Sequence, residues 1–405
     1  MSAADDYQAD EQRDDMNLAI VTNILTPYRI PLFAAMAGQV DRLTVFLMAE
    51  REENRQWELG SIPFTVQMLP GFHIRPRRAD VSIHLNYGVI RALRRLNPDV
   101  VLSGGFAAAN VAAFVYCRLF RKKYVAWTHL TLQDGAESSR VRRWIRHLVI
   151  GFADGSIAES SVARDAFVHY GASPCRVLRA VMPLDVSQIH ERTDVVRRSP
   201  GHQAFRSRYP GVVLLSIGQL ISRKGCREML EIYRRVALVR PDVSLVILGD
   251  GPERASLERM VSEQRILHVF FEGYVQSEDL PQYLACADLF VFHTLYDAFG
   301  LVLSEAMAAE LPVVSSVHAA ATRDLVKEGV TGFSIDPHDA GASSATILKL
   351  LRLSQEDRHS MGRAGYEHVR AFDAVPSAVR MVGFMRSITE QSDRFPLVEG
   401  REGNL

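Results

Sequence analysis

The chain has 405 residues, of which 47% are hydrophobic and 23% are charged, and its formal net charge is zero. This length exceeds what one hydrophobic core usually holds, so we expect two domains, and the neutral charge gives no electrostatic argument for binding nucleic acid. No apolar run approaches the roughly 20 residues of a membrane span, and the four dispersed cysteines form no zinc motif.

The first fifteen residues, MSAADDYQADEQRDD, are acidic and polar, which is unlike a secretory signal. We expect this segment, residues 1–15, to be a disordered tail. The dispersed cysteines favour reduced thiols, and we expect a cytoplasmic protein.

From residue 16, short β-branched runs alternate with amphipathic helical patterns. The predicted buried strands are NLAIVTN, RLTVFLMA, FTVQML, DVVLSGG, KYVAWTH and DGSIAES, and the predicted helices cover 81–96, 106–120, 138–152 and 161–170. Such alternation is typical of a parallel sheet with helices on both faces. The sequence therefore predicts a first doubly wound, Rossmann-like domain over residues 16–190.

The alternation lapses within 187–210, a polar and charged stretch without a clear period, and we expect an interdomain linker at 191–210. It resumes with the predicted strands VVLLSIG, SLVILGD, VFFEGYV, DLFVFHT, PVVSSV and GFSID. The intervening helices are predicted near 224–239, 252–264, 279–286, 300–310, 319–327 and 339–352, followed by 355–371 and 374–388. We predict a second Rossmann-like domain at 211–370, and a C-terminal helix within 371–394 that packs back on the first domain.

Two strand ends of the second domain carry residues that could bind a ligand. One strand ends at Gly218, and a helix begins near Lys224, which makes an anion site with a cation beside it. In LYDAFGLVLSEAMAAELPVV, Asp297 falls in the loop after a strand, and Glu305 lies about 7–8 Å further along the next helix. An acid inside an apolar helix needs a partner or a ligand. An exposed Lys224 and a structural pairing of Glu305 are the alternatives.

These residues also carry a resemblance. The spacing from Asp297 to Glu305, within DAFGLVLSEAMA, resembles the E-x7-E motif of retaining glycosyltransferases of the GT-B fold, family 4, also called group 1. GQLISRKG resembles the G-R-L-x-x-x-K-G turn of that family, and LGDGPE, FEGYVQSEDLPQYLACADLFVF and LVKEGVTGFSIDPHD follow in its order. The first domain is similar more loosely, through NILTPYRIPLF, the WTH turn and GSIAESSVARDAFVHYG. The resemblance implies an α/β chain of GT-B fold, whose two domains face each other across a cleft.

The resemblance also implies roles for the matching residues. Lys224 would hold the diphosphate of a UDP- or GDP-sugar, Asp297 the sugar hydroxyls and Glu305 the ribose hydroxyls. His129 would lie near the transferred sugar, which gives an implied catalytic set of His129, Lys224 and Asp297. The other expected donor contacts are Gly218, Gln219, Arg223, Gly273, Tyr274, Val275, Phe299, Gly300 and Leu301, and the expected acceptor contacts are Tyr28 and Arg29. The family is thought to need no metal, so we expect neither a metal nor a cofactor.

The sequence departs from the family pattern in four places. Gln219 stands where the family has Arg, Asp297 stands where it usually has Glu, the loop ILTPYR lacks the usual glycines, and Glu310 stands where the family frequently has Gly before PVV. The predicted reaction is sugar transfer with retention of configuration to a hydroxyl acceptor. Three alternatives remain open: an inactive relative that acts as an assembly partner, a GT-B-like epimerase or phosphorylase, and a hydrolase. Asp297 and Glu305 suit the last poorly, because a retaining hydrolase needs its carboxyls about 5–5.5 Å apart.

Basic residues are concentrated in the first domain. Residues 16–190 contain 21 Lys and Arg against 13 Asp and Glu. Many of them cluster at Arg91, Arg94 and Arg95, at Arg118, Arg121, Lys122 and Lys123, and at Arg140, Arg142, Arg143 and Arg146. These clusters are either solvated helix faces or a surface attracted to anionic lipid, where each basic residue adds about 1 kcal/mol. The second interpretation predicts a glycan or lipid-linked acceptor in cell-envelope or exopolysaccharide synthesis, and a peripheral position on the inner face of the membrane.

Overall fold

A computed structural model of the chain describes residues 16–50, 59–74, 83–133 and 139–390. The tail predicted at residues 1–15, and the segment after residue 390, lie outside the described residues. The described chain forms two parallel sheets, each covered by helices, which confirms the predicted fold class. The first sheet has seven strands in the order β3-β2-β1-β6-β7-β8-β9, and the second has six in the order β12-β11-β10-β13-β14-β15.

The first half of the chain supplies nine strands and five helices among the described residues. The strands are β1 Asn17–Thr22, β2 Arg42–Leu47, β3 Thr65–Met68, β4 Gly71–Ile74, β5 Ile83–Asn86, β6 Val100–Gly104, β7 Lys123–Thr128, β8 Gly155–Ala158 and β9 Val177–Arg179. The helices are α1 Ile30–Ala37, α2 Val89–Leu96, α3 Ala108–Phe120, α4 Arg140–Gly151 and α5 Ser161–His169.

Up to residue 390, where the description ends, the second half supplies six strands and ten α-helices. The strands are β10 Val212–Ile217, β11 Val243–Leu248, β12 Val269–Gly273, β13 Leu289–Phe292, β14 Val313–Ser316 and β15 Gly332–Ile335. The helices are α6 Val186–Arg197, α7 His202–Arg206, α8 Cys226–Val239, α9 Arg254–Glu263, α10 Leu280–Cys286, α11 Leu301–Ala308, α12 Ala320–Leu325, α13 Ala340–Leu351, α14 Gln355–Arg370 and α15 Ala374–Glu390.

The central strands are apolar along their whole length because helices cover both faces of each sheet. In β1, Leu18 pairs with Leu43 of β2 on one side and with Val100 of β6 on the other, and all three side chains are buried. In β10, Leu214 likewise lies between Leu245 of β11 and Leu289 of β13. Strands buried on both faces read as continuous apolar runs rather than alternating ones. This is why the sequence predicted the parallel sheets well.

The predicted helix over 81–96 is wrong in its first part. Residues Ile83–Asn86 form a strand that pairs antiparallel with Gly71–Ile74, and this two-stranded sheet stands apart from the seven-stranded one. Helix α2 begins only after Gly88, whose φ of +77° lies in the left-handed region that favours glycine. The glycine separates two elements that a single helical pattern had merged.

The stretch predicted as an irregular linker is mostly helical. Asp185 caps α6 by accepting a hydrogen bond from the Gln188 N–H at 2.9 Å, and α7 follows within the same stretch. Helix α6 packs on α10, α11 and α14 of the second domain, and its His190 ring stacks on Tyr366 of α14 with the ring centroids 4.0 Å apart. Only a narrow stripe of α6 is buried, so its apolar period was too weak to detect.

The chain crosses between the two domains a second time near its C-terminal end. Helix α15 packs against α1 and against strands β7 and β8 of the first domain. Met381 and Met385 of this helix are fully buried in the core cluster that also contains Trp127. A glycine at 155 in β8 leaves room for the helix, because a Cβ there would lie 2.4 Å from Ile388.

Within the part of the chain that the structure describes, no helix is both long and apolar enough to cross a membrane.

Candidate active site

The first part of the site is the turn between β10 and α8. After Gly218 the chain makes a short 3-10 turn over Ser222–Lys224, and Gly225, with a φ of +68°, caps α8. A Cβ at Gly225 would lie 2.5 Å from the carbonyl oxygen of His293, so the turn packs directly on the end of β13. This close contact brings Lys224 over the loop that follows β13.

The loop after β13 is attached to that turn by its backbone. The Arg223 carbonyl accepts hydrogen bonds from the N–H groups of Leu295 and Tyr296, at 3.0 and 3.2 Å. The Lys224 ammonium forms an ion pair with the Asp297 carboxylate, and both side chains are mostly buried. The second Asp297 oxygen accepts the Phe299 N–H at 3.2 Å. Two of the predicted catalytic residues are therefore in direct contact.

Helix α11 begins immediately beyond this pair. Gly300 starts it with a φ of +102°, and a Cβ there would lie 2.4 Å from the Phe292 ring, so only glycine fits. Glu305 lies partly buried in the second turn. No described residue hydrogen-bonds its carboxylate, and burial raises the pKa of Glu305 to about 7. The structure thus leaves a desolvated acid available to a ligand.

The other predicted donor contacts lie at the same edge of the sheet. Gln219 and Arg223 are exposed, and the Arg223 guanidinium reaches the Tyr296 carbonyl at 3.5 Å. Gly273, at the end of β12, is two strands away from β10, and its carbonyl accepts the Gly249 N–H at 2.7 Å. Next to it Tyr274 is 47% exposed, whereas Val275 packs against the hydrophobic core. These three residues lie at the end of the edge strand of the second sheet.

One buried residue beneath the site was not predicted. His293 at the end of β13 contacts the Ser216 hydroxyl through Nε2 at 2.8 Å, and burial lowers the pKa of its imidazole to about 4. The ring is therefore neutral at pH 7. It lies under the Lys224 turn, where a second positive charge would compete with the ammonium. The sequence signal that could have identified it is a histidine directly after the apolar strand LFVF.

The first domain contributes a second group of polar residues. Arg29 follows β1, His129 follows β7 and Glu159 follows β8, so all three stand at the carboxyl edge of the first sheet. Glu159 is 1% exposed and accepts from Arg29 Nη2 at 3.3 Å and from His129 Nδ1 at 3.1 Å. Burial alone would raise the pKa of Glu159, but Arg29 and His129 outweigh it and hold the pKa below its ordinary value.

This network fixes how His129 and Arg29 face the cleft. Because the Nδ1–H of His129 donates to the Glu159 carboxylate, Nε2 has no hydrogen-bond partner among the described residues, and the side chain is 46% exposed. The Arg29 guanidinium stacks on Trp127, with its carbon 3.9 Å from the ring centroid. Its Nη1 is buried and has no partner among the described residues. Tyr28, the other predicted acceptor contact, packs against the hydrophobic cluster of the second domain.

Glu159 was missed from the sequence, although an acid directly after a buried strand is the signal that identified Asp297. We expect Glu159→Gln to lower the free energy of unfolding by about 3 kcal/mol, because the buried Arg29 loses its counter-charge. It should also reduce kcat for the sugar transfer that the sequence resemblance implies, while the KM for the implied nucleotide-sugar donor stays nearly constant. Urea unfolding and steady-state kinetics measure both effects. The exposed Glu356→Gln is the control, and equal behaviour of the two variants would contradict a positioning role for Glu159.

The two domains meet on both sides of these residues. The Thr131 hydroxyl, just after His129, lies 2.7 Å from the Tyr296 hydroxyl, next to Asp297. At a second contact, the fully buried Asp324 carboxylate of α12 accepts from the Ser161 N–H at 2.8 Å and from Arg179 at 2.9 Å. The interdomain contacts therefore hold the His129 loop opposite the Asp297 loop.

Two facing doubly wound domains that meet at their carboxyl edges have the architecture of the GT-B fold. The family model described as Glycosyl transferases group 1 matches residues 202–368, and that of Glycosyltransferase Family 4 matches residues 32–180. Together they leave out only the two ends and the connection at 181–201. The chain belongs to the group 1, or family 4, glycosyltransferases.

Curated relatives match different shares of the chain. A GDP-mannose-dependent alpha-mannosyltransferase of Corynebacterium glutamicum is 24% identical over 76% of this chain and 72% of its own length. The sulfoquinovosyl transferase SQD2 of Arabidopsis thaliana is 31% identical over 38% of this chain and 30% of its own. The O-antigen chain mannosyltransferase B of Escherichia coli is 33% identical over 40% of this chain and 43% of its own length. The chain thus matches less than half the length of the last two.

Solved structures resemble the whole fold. Anabaena HepE in complex with UDP superposes with a TM-score of 0.72 at 18% identity, covering 92% of this chain and all of that one. Sucrose-phosphate synthase from Thermosynechococcus elongatus gives 0.70 at 17% identity, over 93% of this chain and all of that one. Similarity at this level of identity supports the fold, and the chemistry depends on the residues described above.

Proposed function

We propose that this protein transfers a sugar, with retention of configuration, from a nucleotide diphosphate sugar to a hydroxyl of a glycan or lipid-linked acceptor. The observation that carries the proposal is the Lys224–Asp297 pair beside α11, whose Glu305 carboxylate lacks a partner among the described residues. A desolvated carboxylate suits a ligand that offers two O–H donors, as a ribose does. The lysine and the start of the helix suit a diphosphate.

The main barrier in such a transfer is the charge that develops on the departing diphosphate. The bond from the anomeric carbon to the phosphate oxygen breaks, a bond to the acceptor oxygen forms, and the acceptor proton leaves with the diphosphate. Lys224 and the N-terminus of α11 are preorganised to stabilise that charge. With these two groups in place, the proposed transfer does not require a metal ion. In the donor-bound state Asp297 would exchange its contact with Lys224 for hydroxyls of the sugar.

The nucleotide base of the donor is either uracil or guanine in this proposal. The corynebacterial relative is named as GDP-mannose-dependent, whereas HepE was solved with UDP and with UDP-glucose. We propose that Gly273, Tyr274 and Val275 lie along the base. Tyr274 is exposed enough to stack on it.

The proposal is tested by a thermal-shift screen against UDP- and GDP-sugars, since a ligand that binds the native state raises its stability with concentration. The best binder is then incubated with and without acceptor glycans, with and without EDTA, and the product anomer is assigned by NMR. Retained configuration in EDTA supports the proposal. An inverted product, or release of sugar phosphate, would overturn it, and no turnover with any donor would favour an inactive assembly partner.

A membrane-bound acceptor is supported by the exposed face of α4. Val141 and Trp144 are 67% and 63% exposed there, flanked by the exposed residues Arg140, Arg142 and Arg143. Exposed apolar and aromatic side chains among arginines are typical of helices that lie on anionic membrane surfaces. We propose that α4 holds the first domain on the inner face of a membrane that carries the acceptor.

We expect the protein to cosediment with phosphatidylglycerol vesicles at low salt and to be released at high salt, because salt screens surface charges. Arg140→Gln combined with Arg143→Gln should weaken binding about 30-fold, at about 1 kcal/mol per basic residue. The matched control is Arg259→Gln with Arg352→Gln, two exposed positions of the second domain. Equal losses in both double variants would exclude α4 as the contact.

A further inference from the structure

Three side chains of the types that bind metal ions, two histidines and an aspartate, lie together beside the candidate donor site. His318 follows β14, and Asp336 and His338 follow β15, so all three stand at the carboxyl edge of the second sheet. One ligand atom from each lies within 4.8 Å of the others. His318 Nε2 is 3.1 Å from Asp336 Oδ1, and the two imidazole centroids are 5.5 Å apart. No other such group occurs among the described residues.

The spacing of these atoms fits one small cation. Zinc binds imidazole nitrogen and carboxylate oxygen at about 2.0–2.2 Å, so two ligands of one tetrahedral ion lie about 3.3 Å apart. The His318–Asp336 pair already has this separation. The third ligand atom, on His338, lies within 4.8 Å of both, and this side chain is exposed and has room to rotate toward them. The fourth position would be open to water.

The carboxylate is held in place before any ion binds. Asp336 Oδ1 accepts the backbone N–H of His338 at 3.0 Å, while the Asp336 carbonyl accepts the Ser343 hydroxyl at 2.7 Å. Asp339, the residue after His338, caps α13 by accepting the Ala342 N–H. The loop that carries His338 is therefore fixed at both ends. Ligands held by second contacts of this kind lose less freedom when a metal binds.

We propose that His318, Asp336 and His338 form a binding site for a divalent transition-metal ion of the zinc type, outside the sugar-transfer machinery. Two imidazoles and one carboxylate favour zinc, copper or nickel over magnesium or calcium, which prefer oxygen ligands. Neither Lys224, Asp297 nor Glu305 belongs to the site.

The site is connected to the donor loop through the backbone. Asp297 donates its N–H to the His318 carbonyl at 3.2 Å, Ala320 donates to the Asp297 carbonyl at 3.2 Å, and Ala321 donates to the Phe299 carbonyl at 2.9 Å. Fixing His318 with a metal would therefore stiffen the loop that carries Asp297. This coupling rests on the proposed function, whereas metal binding itself does not.

The test uses Zn²⁺ alone with the full chain, by isothermal titration, and Co²⁺ absorption as a report of tetrahedral nitrogen and oxygen ligation. One tight Zn²⁺ equivalent is expected, with His318→Ala and His338→Ala each weakening it about 10–100-fold, and His359→Ala, an exposed histidine on α14, leaving it unchanged. Circular dichroism checks that each variant is folded. Equal Zn²⁺ affinity in all three variants, or no binding to the wild type, would overturn the site.

A separate titration keeps the two proposals distinguishable. The nucleotide-sugar affinity is measured with and without one equivalent of Zn²⁺, in the wild type and in His318→Ala. If the loop is coupled, Zn²⁺ changes donor affinity in the wild type alone, and the donor changes Zn²⁺ affinity by the same factor. Zinc binding without any donor effect would remove the coupling and leave the metal site standing.

Discussion

Lys224→Ala is expected to lower kcat/KM for sugar transfer about 100–1,000-fold, the usual cost of removing one preorganised group that stabilises developing charge. The ammonium is the one full positive charge in direct contact with Asp297 among the described residues. Steady-state kinetics with the donor found by the thermal-shift screen measure the loss. Nucleotide affinity should fall as well, because the same cation holds the diphosphate in the ground state.

The fold should survive this change. After the lysine is removed, Asp297 keeps its hydrogen bond from the Phe299 N–H, and its side chain still reaches solvent. Lys327→Ala, at an exposed lysine in the loop after α12, is the control and should keep wild-type rates. Lys224→Arg should recover part of the nucleotide affinity, since the charge returns in a different shape. Full activity in Lys224→Ala would refute the assigned diphosphate site.

The position of each residue relative to a strand decides whether the sequence could predict its place in the candidate site. Asp297 and Lys224 could be predicted because parallel strands bring their carboxyl ends to one edge, and the family motif covers that edge. Arg29 and His129 were placed at the corresponding edge of the first sheet by a looser resemblance. Their connection through Glu159 could not be predicted, because a hydrogen-bond network depends on which side chains meet across strands 30 and 130 residues apart.

The interdomain contacts could not be predicted from the sequence for a similar reason. Asp324 lies in a stretch whose pattern predicts an ordinary short helix, and only the tertiary fold brings its carboxylate to the N–H of Ser161. Helix α6 was missed because its buried stripe faces a domain that follows it in the chain. Local periodicity predicts an element's type when one full face is buried, and it fails when the contact is narrow.

Glu305 offers a test of the other end of the donor site, through its pH dependence. Burial raises the pKa of this carboxyl from an ordinary 4.5 to about 7. Between these values the folded chain keeps a proton that the unfolded chain has already released. The free energy of unfolding should therefore fall as pH rises from about 4.5 to 7, by on the order of 2–3 kcal/mol from this group. Above about pH 8, where the carboxyl is ionised in both states, the contribution is constant.

Donor binding should show the opposite trend. Only the ionised carboxylate can accept both ribose hydroxyls, so the donor Kd should tighten as pH rises through about 7, with release of a proton. Isothermal titration in two buffers of different ionisation enthalpy measures that proton. A donor that binds equally well at pH 5.5 and pH 8 would contradict the ribose contact.

Glu305→Gln separates stability from binding. The neutral amide removes the buried charge, so the variant should be more stable than the wild type at pH 8 by about 2–3 kcal/mol, and similar to it at pH 4.5. Its donor affinity should nevertheless be about 10–100-fold weaker at pH 8, because charge-assisted hydrogen bonds are worth about 1.5–3 kcal/mol. The exposed Glu263→Gln should match the wild type in both measurements. A variant that gains stability and loses donor affinity is what a ligand-binding acid predicts, whereas an acid kept for the fold would lose stability on substitution.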